Sequence, residues 1–205
     1  STETTPPVID NVRVEDKDNT GYTVYCDVSD AEGVVKVCFP TWTEVNGQDD
    51  LSPDWQETQA VYTPISGNTY AFRVNTSDHN EEDGIYCTDI YAFDTSGNYS
   101  TSWKIVTIDK TPPVIDEAYI KDVDTTGYTV VCKATDNEWL CSVQFSTWTQ
   151  SNGQDDLKTD EIMGLGNNGE YTFRVNVADH GNASGVYMTK IYARDFSNNG
   201  TEVTL

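Results

Sequence analysis

The chain is one sequence written twice. Thr5-Pro6-Pro7-Val8-Ile9-Asp10 returns as Thr111-Pro112-Pro113-Val114-Ile115-Asp116, Gly21-Tyr22-Thr23-Val24 as Gly127-Tyr128-Thr129-Val130, and Asn46-Gly47-Gln48-Asp49-Asp50-Leu51 as Asn152-Gly153-Gln154-Asp155-Asp156-Leu157, all at an offset of 106. The offset then falls to 101: Phe72-Arg73-Val74-Asn75 matches Phe173-Arg174-Val175-Asn176, and Asp78-His79 matches Asp179-His180. Five residues are therefore missing from the second copy between Leu157 and Tyr171, and a length change of that kind belongs in a loop. A repeat of about 100 residues is a whole domain and not a solenoid unit. The expected organisation is two tandem domains, 1–110 and 111–205. They are joined at Asp109-Lys110-Thr111-Pro112-Pro113, where two prolines fix φ and favour a stiff, extended link.

Within each copy the apolar residues alternate. Tyr22, Val24, Cys26 and Val28 share one face while Thr23, Tyr25 and Asp27 take the other, and Val35, Val37 and Phe39, then Tyr70, Phe72 and Val74, then Tyr86, Thr88, Ile90 and Ala92 repeat the pattern. Period-2 runs of β-branched and aromatic residues, punctuated by Gly, Asn and Asp, predict antiparallel strands with one buried face. The first copy reads as strands at 8–15, 22–28, 34–40, 56–63, 69–75, 85–93 and 101–108. About seven short strands in about 100 residues predict an all-β chain of two immunoglobulin-like antiparallel β-sandwiches. Gly84-Ile85-Tyr86 and Gly185-Val186-Tyr187 place a tyrosine where such sandwiches form their tyrosine corner, but the position two residues later is Thr88 or Thr189, so the usual inter-sheet disulfide is absent.

The chain carries 34 acids against 12 bases, a formal charge of −22. The excess is spread over turns of both copies: 20 acids and 6 bases in residues 1–110, 14 and 6 in residues 111–205. Such a surface repels phosphates, which excludes nucleic acid and anionic membrane surfaces as partners. No apolar run approaches the roughly 20 residues of a membrane helix, and no secretory leader is visible, so the chain reads as a mature segment.

Five cysteines cannot all pair within the chain. Cys38 and Cys87 both point away from the core on strands expected to be neighbours, and both change together in the second copy, to Gln144 and Met188. A Cys38–Cys87 disulfide is therefore expected. Cys141 takes the inward place of Val35, near inward Cys132, which makes a Cys132–Cys141 contact a second candidate. Cys26 is then a lone buried thiol. The alternative is five reduced cysteines. Metal binding through them is disfavoured because there is no C-x-x-C.

Residues 37–51, followed by Asp78-His79-Asn80 and Gly84-Ile85-Tyr86, resemble the GBS Bsp-like repeat of Gram-positive bacteria. The second copy matches through Phe145, Thr147-Trp148-Thr149, Asn152 to Leu157, Asp179-His180 and Gly185-Val186-Tyr187. The resemblance implies a secreted or cell-surface protein in which such repeats accompany peptidoglycan-hydrolase or adhesin-like modules, and it carries over no catalytic residue. The chain departs from the pattern after the acidic motif, where Ser52-Pro53-Asp54-Trp55 and Lys158-Thr159-Asp160-Glu161 replace a frequent aromatic pair.

Three groups of residues are candidates for chemistry. The two histidines, His79 and His180, each follow an aspartate; they read either as an acid/base pair or, more simply, as part of a turn between strands. Asp49-Asp50 and Asp155-Asp156 fall in a loop after the third strand. They suit a capped turn, a Ca²⁺ site completed by Gln48, Asn46 and carbonyls, or, least well, the paired carboxylates of a glycosidase. Trp42 and Trp148 either plug the sandwich edge under that loop or present rings on which a sugar stacks. The leading reading is a non-catalytic tandem module of a larger protein, acting as a spacer that presents other domains, with cell-wall or host contact. The alternative is a carbohydrate-binding or adhesin module using the Trp42 and Trp148 loops. No cofactor is implied beyond the candidate Ca²⁺.

Overall fold

The computed structural model describes residues 3–166 and 168–205. It divides into two compact units, one ending at Asp109 and the next starting at Lys110. The first contains β1 (Val8–Asp18), β2 (Gly21–Ser29), β3 (Val34–Cys38), β4 (Thr41–Thr43), α1 (Trp55–Thr58), β5 (Ala60–Val61), β6 (Thr69–Asn75), β7 (Gly84–Asp94) and β8 (Tyr99–Ile108). One sheet is ordered β1-β2-β6; the other is β4-β7-β3-β5 with β8 on β7, and every pairing is antiparallel. The second unit repeats this with β9 (Val114–Asp124), β10 (Gly127–Thr135), β11 (Leu140–Thr149), β12 (Lys158–Met163), β13 (Asn168–Asn176), β14 (Tyr187–Asp195) and β15 (Gly200–Thr204), in sheets β13-β10-β9 and β12-β11-β14-β15.

Alternation fills the space between the sheets. Tyr22, Val24, Cys26 and Val28 of β2 meet Val37 and Phe39 from the opposite sheet, with Ile90, Ala92 and Ile108 completing the core. The second core uses Tyr128, Val130, Cys132 and Ala134 against Leu140, Val143, Phe145, Ile191 and Ala193. Phe39 stacks on Phe72 across the first sandwich, with ring centroids 5.5 Å apart, and Phe145 stacks on Phe173 at 5.7 Å in the second.

Hydroxyls take the place of the missing inter-sheet disulfide. Tyr22 Oη lies 2.7 Å from Thr88 Oγ1, which lies 2.9 Å from Thr41 Oγ1. Tyr128, Thr189 and Thr147 repeat the chain at 2.9 and 3.0 Å. These buried polar atoms satisfy one another, so joining the sheets this way leaves no desolvated hydroxyl. The tyrosine corners form as expected: Tyr86 Oη donates to the Glu82 carbonyl at 2.8 Å, and Tyr187 Oη to the Ala183 carbonyl at 2.7 Å.

Three expectations about this framework are corrected. Residues 56–63 do not form one strand; a helical turn, α1, occupies 55–58, and only Ala60–Val61 pairs with β3. Pro40 supplies the reason, since a residue without an N–H interrupts the ladder, and it splits β3 from β4. Ser146 stands at the equivalent place, so β11 runs unbroken and pairs with β12 along Ser142–Thr147. Val35 does not face the core. A β-bulge between Val34 and Lys36 turns it outward, 42% exposed, and the same bulge lies between Leu140 and Ser142. Bulges re-aim the residue they insert, so Leu140 enters the core and Cys141 turns to the outer face, where Arg194 Nη2 lies 3.9 Å from its sulfur.

The disulfides fall with that register. All five cysteines are free thiols. Cys38 pairs with Tyr91, whereas Cys87 pairs with Trp42, so the two sulfurs belong to positions four residues apart along β7, roughly 13 Å at strand rise, beyond the reach of about 7 Å between Cα atoms. Cys132 is in the core while Cys141 is outside it, which rules out their contact. Burial pushes the thiols of Cys26 up to about 12 and of Cys38 and Cys132 up to about 11, where little thiolate exists to react. Titration with a thiol reagent is expected to count five thiols after denaturation, and reductant is expected to leave the melting temperature unchanged. Fewer than five, or a fall in melting temperature on reduction, contradicts the register given above.

Candidate functional site

The repeated acidic loop and the repeated Asp-His turn, far apart in sequence, come together in each unit. The Asn46-Gly47 turn, with Asn46 at φ 56°, returns the chain so that Asp50 lies over the start of β4. Its Oδ1 accepts from the Thr43 N–H at 3.1 Å, with Oδ2 3.2 Å from the same nitrogen. The same Oδ2 is 2.7 Å from His79 Nδ1, and both side chains are only 2% exposed. The His79 ring packs edge-on against Tyr86 at 5.6 Å, and Thr43 Oγ1 donates to Glu82. His79 itself closes a single 3-10 turn, Thr76–Asp78.

In the second unit Asp156 accepts from the Thr149 N–H at 3.0 Å and from its hydroxyl at 2.7 Å. The Thr149 hydroxyl, ahead of the other contacts, holds the Asp156 carboxyl below its ordinary range. His180 Nδ1 is 3.5 Å from Asp156 Oδ2 and also packs edge-on, against Tyr187 at 5.4 Å. That separation suits an ion pair more than a hydrogen bond.

This arrangement decides among the roles expected of these residues. The second aspartate of each pair uses its oxygens on a backbone N–H and a histidine, so it caps a turn and has little left for a cation. Asp49 and Asp155 are exposed. Each carboxylate pair thus divides between a buried locking residue and a solvated one, and does not converge on a cleft as glycoside hydrolysis requires. His79 and His180 pair with the distant aspartate, not with the adjacent Asp78 or Asp179. The signal for this was present in the sequence, because both partners recur in both copies, but repetition alone does not say which residues touch.

Trp42 and Trp148 are half-buried on the outer face, opposite Cys87 and Met188. Around Trp42 the structure adds residues that the sequence reading passed over. A shallow pocket of about 170 Å³ is lined by Trp42, Gln48, Leu51, Trp55, Asp89 and Tyr91, together with Pro40. Trp55, carried by α1, lies 4.9 Å from the Tyr91 ring, and Tyr91 lies 6.0 Å from Tyr99. A larger cavity, about 590 Å³, opens in the second unit beside Ile120, Val123, Tyr128 and Val177. Its carboxylate, Asp124, is engaged by Thr126 and Arg174 and held down to about 2.

A model of the GBS Bsp-like repeat matches residues 11–105 and again 118–205. The chain belongs to the GBS Bsp-like repeat family. Each unit of the sandwich is one repeat, and the shared wiring, from tyrosine corner to Asp–His pair, is what two copies of a GBS Bsp-like repeat have in common here. No curated protein sequence matches the chain. Among solved structures it is similar to a tetra-tandem repeat from the extending region of a large adhesion protein, at 17% identity and TM-score 0.41, over 97% of this chain and 48% of that one. It is also similar to the FN1-FN3 domains of chicken CNTN1, at 11% identity and TM-score 0.47, over 98% of this chain and 68% of that one. A 1.5-MDa bacterial ice-binding adhesin gives 14% identity and TM-score 0.45, over 99% of this chain and 64% of that one. The chain thus spans about half the length of the adhesion-protein repeat structure.

Proposed function

We propose that the two repeats form a non-catalytic spacer within a larger secreted or cell-surface protein, holding neighbouring domains away from their anchor. The observation that supports this is the fate of the reactive side chains: in both repeats the histidine and its aspartate are buried and used on each other and on the backbone. No described histidine is left with an open nitrogen beside a nucleophile. The adhesin-like neighbours and the family resemblance favour an extracellular setting, and the acidic surface keeps such a module soluble through like-charge repulsion.

A spacer must hold its length under tension. Stretching the chain between two handles is expected to give two discrete unfolding events, each lengthening the tether by roughly 30 nm for about 90–100 residues at 3.3–3.6 Å per residue. Continuous extension at low force, without discrete events, overturns the spacer reading. Release of soluble fragments from purified peptidoglycan by the wild type and not by Asp50→Asn overturns the non-catalytic one.

A further inference from the structure

The outer faces of the two repeats have diverged while their cores have not. On β7 and β8 of the first repeat, Asp89, Tyr91 and Phe93 face outward beside Trp103 and Tyr99, with Asp89 directly opposite Trp103 and Phe93 opposite Tyr99. Trp103 is 64% exposed and Tyr99 56%. Trp55, Tyr91, Phe93 and Tyr99 form a continuous row, with successive centroids 4.9 to 6.4 Å apart. The second repeat carries Lys190, Arg194, Gly200 and Thr204 at the places of Asp89, Phe93, Tyr99 and Trp103. It covers that face with ion pairs instead, Lys190 to Glu202 at 2.5 Å and Arg194 to Glu161 at 4.0 Å. The same sandwich therefore folds without the aromatic row, so the row answers to something other than folding.

Asp89 shows what kind of ligand the row suits. Its carboxylate lies among the rings of Trp42, Trp55 and Tyr91. Among the described residues it accepts no hydrogen bond, and burial, the one influence on it, raises its titration. A desolvated acceptor between aromatic faces calls for a ligand that offers hydroxyl donors at its edge and C–H groups on its face. Charge narrows this further. An anionic chain would meet both Asp89 and a domain with 20 acids against 6 bases, which leaves a neutral one. The pocket is smaller than the 300–1,000 Å³ of drug-sized sites, enough for one ring, while the row beside it extends across the strands and suits a flat, extended chain.

We propose that the outer face of the first repeat is a binding site for a neutral β-1,4-linked hexopyranose chain, with Trp55, Tyr91 and Trp103 stacking on the sugar faces and Asp89 and Gln48 hydrogen-bonding the ring hydroxyls. The second repeat has no such site. This differs from a site shared by Trp42 and Trp148, since it rests on residues that only the first repeat possesses, and it stands or falls independently of the spacer reading.

The test is titration of the 205-residue chain with cellohexaose and with chitohexaose, followed by calorimetry and tryptophan fluorescence. Hyaluronan hexasaccharide serves as the anionic comparison and choline as the cationic one. Binding of at least one neutral oligomer is expected, at one site per chain, with a fluorescence change. Asp89→Lys and Trp103→Thr, which install residues the second repeat already tolerates, are expected to weaken it about tenfold or more at unchanged melting temperature. Trp148→Ala is expected to leave it unchanged. No binding of either neutral oligomer overturns the proposal, as do two sites per chain, preference for hyaluronan, or binding of choline alone. Full affinity in both face variants overturns it equally.

Discussion

Gly21→Ala is expected to cost the first repeat at least about 3 kcal/mol, and Gly127→Ala to do the same to the second. Both glycines open the second strand of their repeat at φ values of +146° and +153°, a region of backbone that L residues rarely enter. A Cβ on Gly21 would lie 1.9 Å from the Val74 carbonyl oxygen, and one on Gly127 1.8 Å from that of Val175. Neither backbone can withdraw. Gly21 is paired to Asp18 on one side and Asn75 on the other, and Gly127 to Asp124 and Asn176. The neighbouring turns are tied as well: Asp18 Oδ1 accepts from Thr20 N and Oγ1, and Asp124 Oδ1 from Thr126 N and Oγ1. Urea unfolding of the intact chain, with hydrogen exchange assigning the loss to one repeat, measures the effect. A loss below about 1 kcal/mol in the substituted repeat would show that the strand opening relaxes more freely than its double pairing allows.

The Asp–His lock gives the second large effect, and a graded one. Asp50→Ala removes the acceptor for both the Thr43 N–H and His79 Nδ1, two groups with no access to water. Each orphaned buried group costs roughly 1–3 kcal/mol, so about 2–5 kcal/mol is expected in the first repeat. Asp156→Ala is expected to cost less. Its side chain is 14% exposed against 2% for Asp50, and its histidine stands 3.5 Å away instead of 2.7 Å, so the bond lost is weaker and water reaches the gap. Urea midpoints of the two variants, assigned to their repeats by hydrogen exchange, test the order. Equal losses, or a larger one from Asp156→Ala, would mean that the carboxylates act through loop geometry and not through the buried pair.

Much of the fold could be read from residue order. The duplication announces two domains, and alternation in Tyr22–Val28 or Tyr128–Ala134 assigns their inner faces, because side chains on a strand must point to opposite sides. The tyrosine corner was legible for the same local reason: Tyr86 and Tyr187 bond to carbonyls four residues upstream. Local rules failed where register intervened. Counting by twos placed Val35 and Cys141 in the core, but one inserted residue re-aims everything before it, and the bulge is set by pairing with β7 and β14. It also failed at 56–63, where alternation alone did not show that Pro40 would deny the next strand an edge.

The candidate sites divide along the same line. Sequence by itself determined that the chain is two copies of one acidic sandwich, that Asn46–Asp50 and Asp78-His79 recur as units, and that the usual disulfide is missing. Those conclusions depend only on repetition, composition and the two-residue period of a strand. Tertiary structure alone decided that Asp50 meets His79, that Cys38 and Cys87 stand too far apart to bond, and that Trp55, Asp89, Tyr91 and Trp103 share one face. The physical reason is distance along the chain: these residues lie 12 to 49 positions apart, and only the lateral register of strands, fixed by the packing of whole cores, says which of them become neighbours.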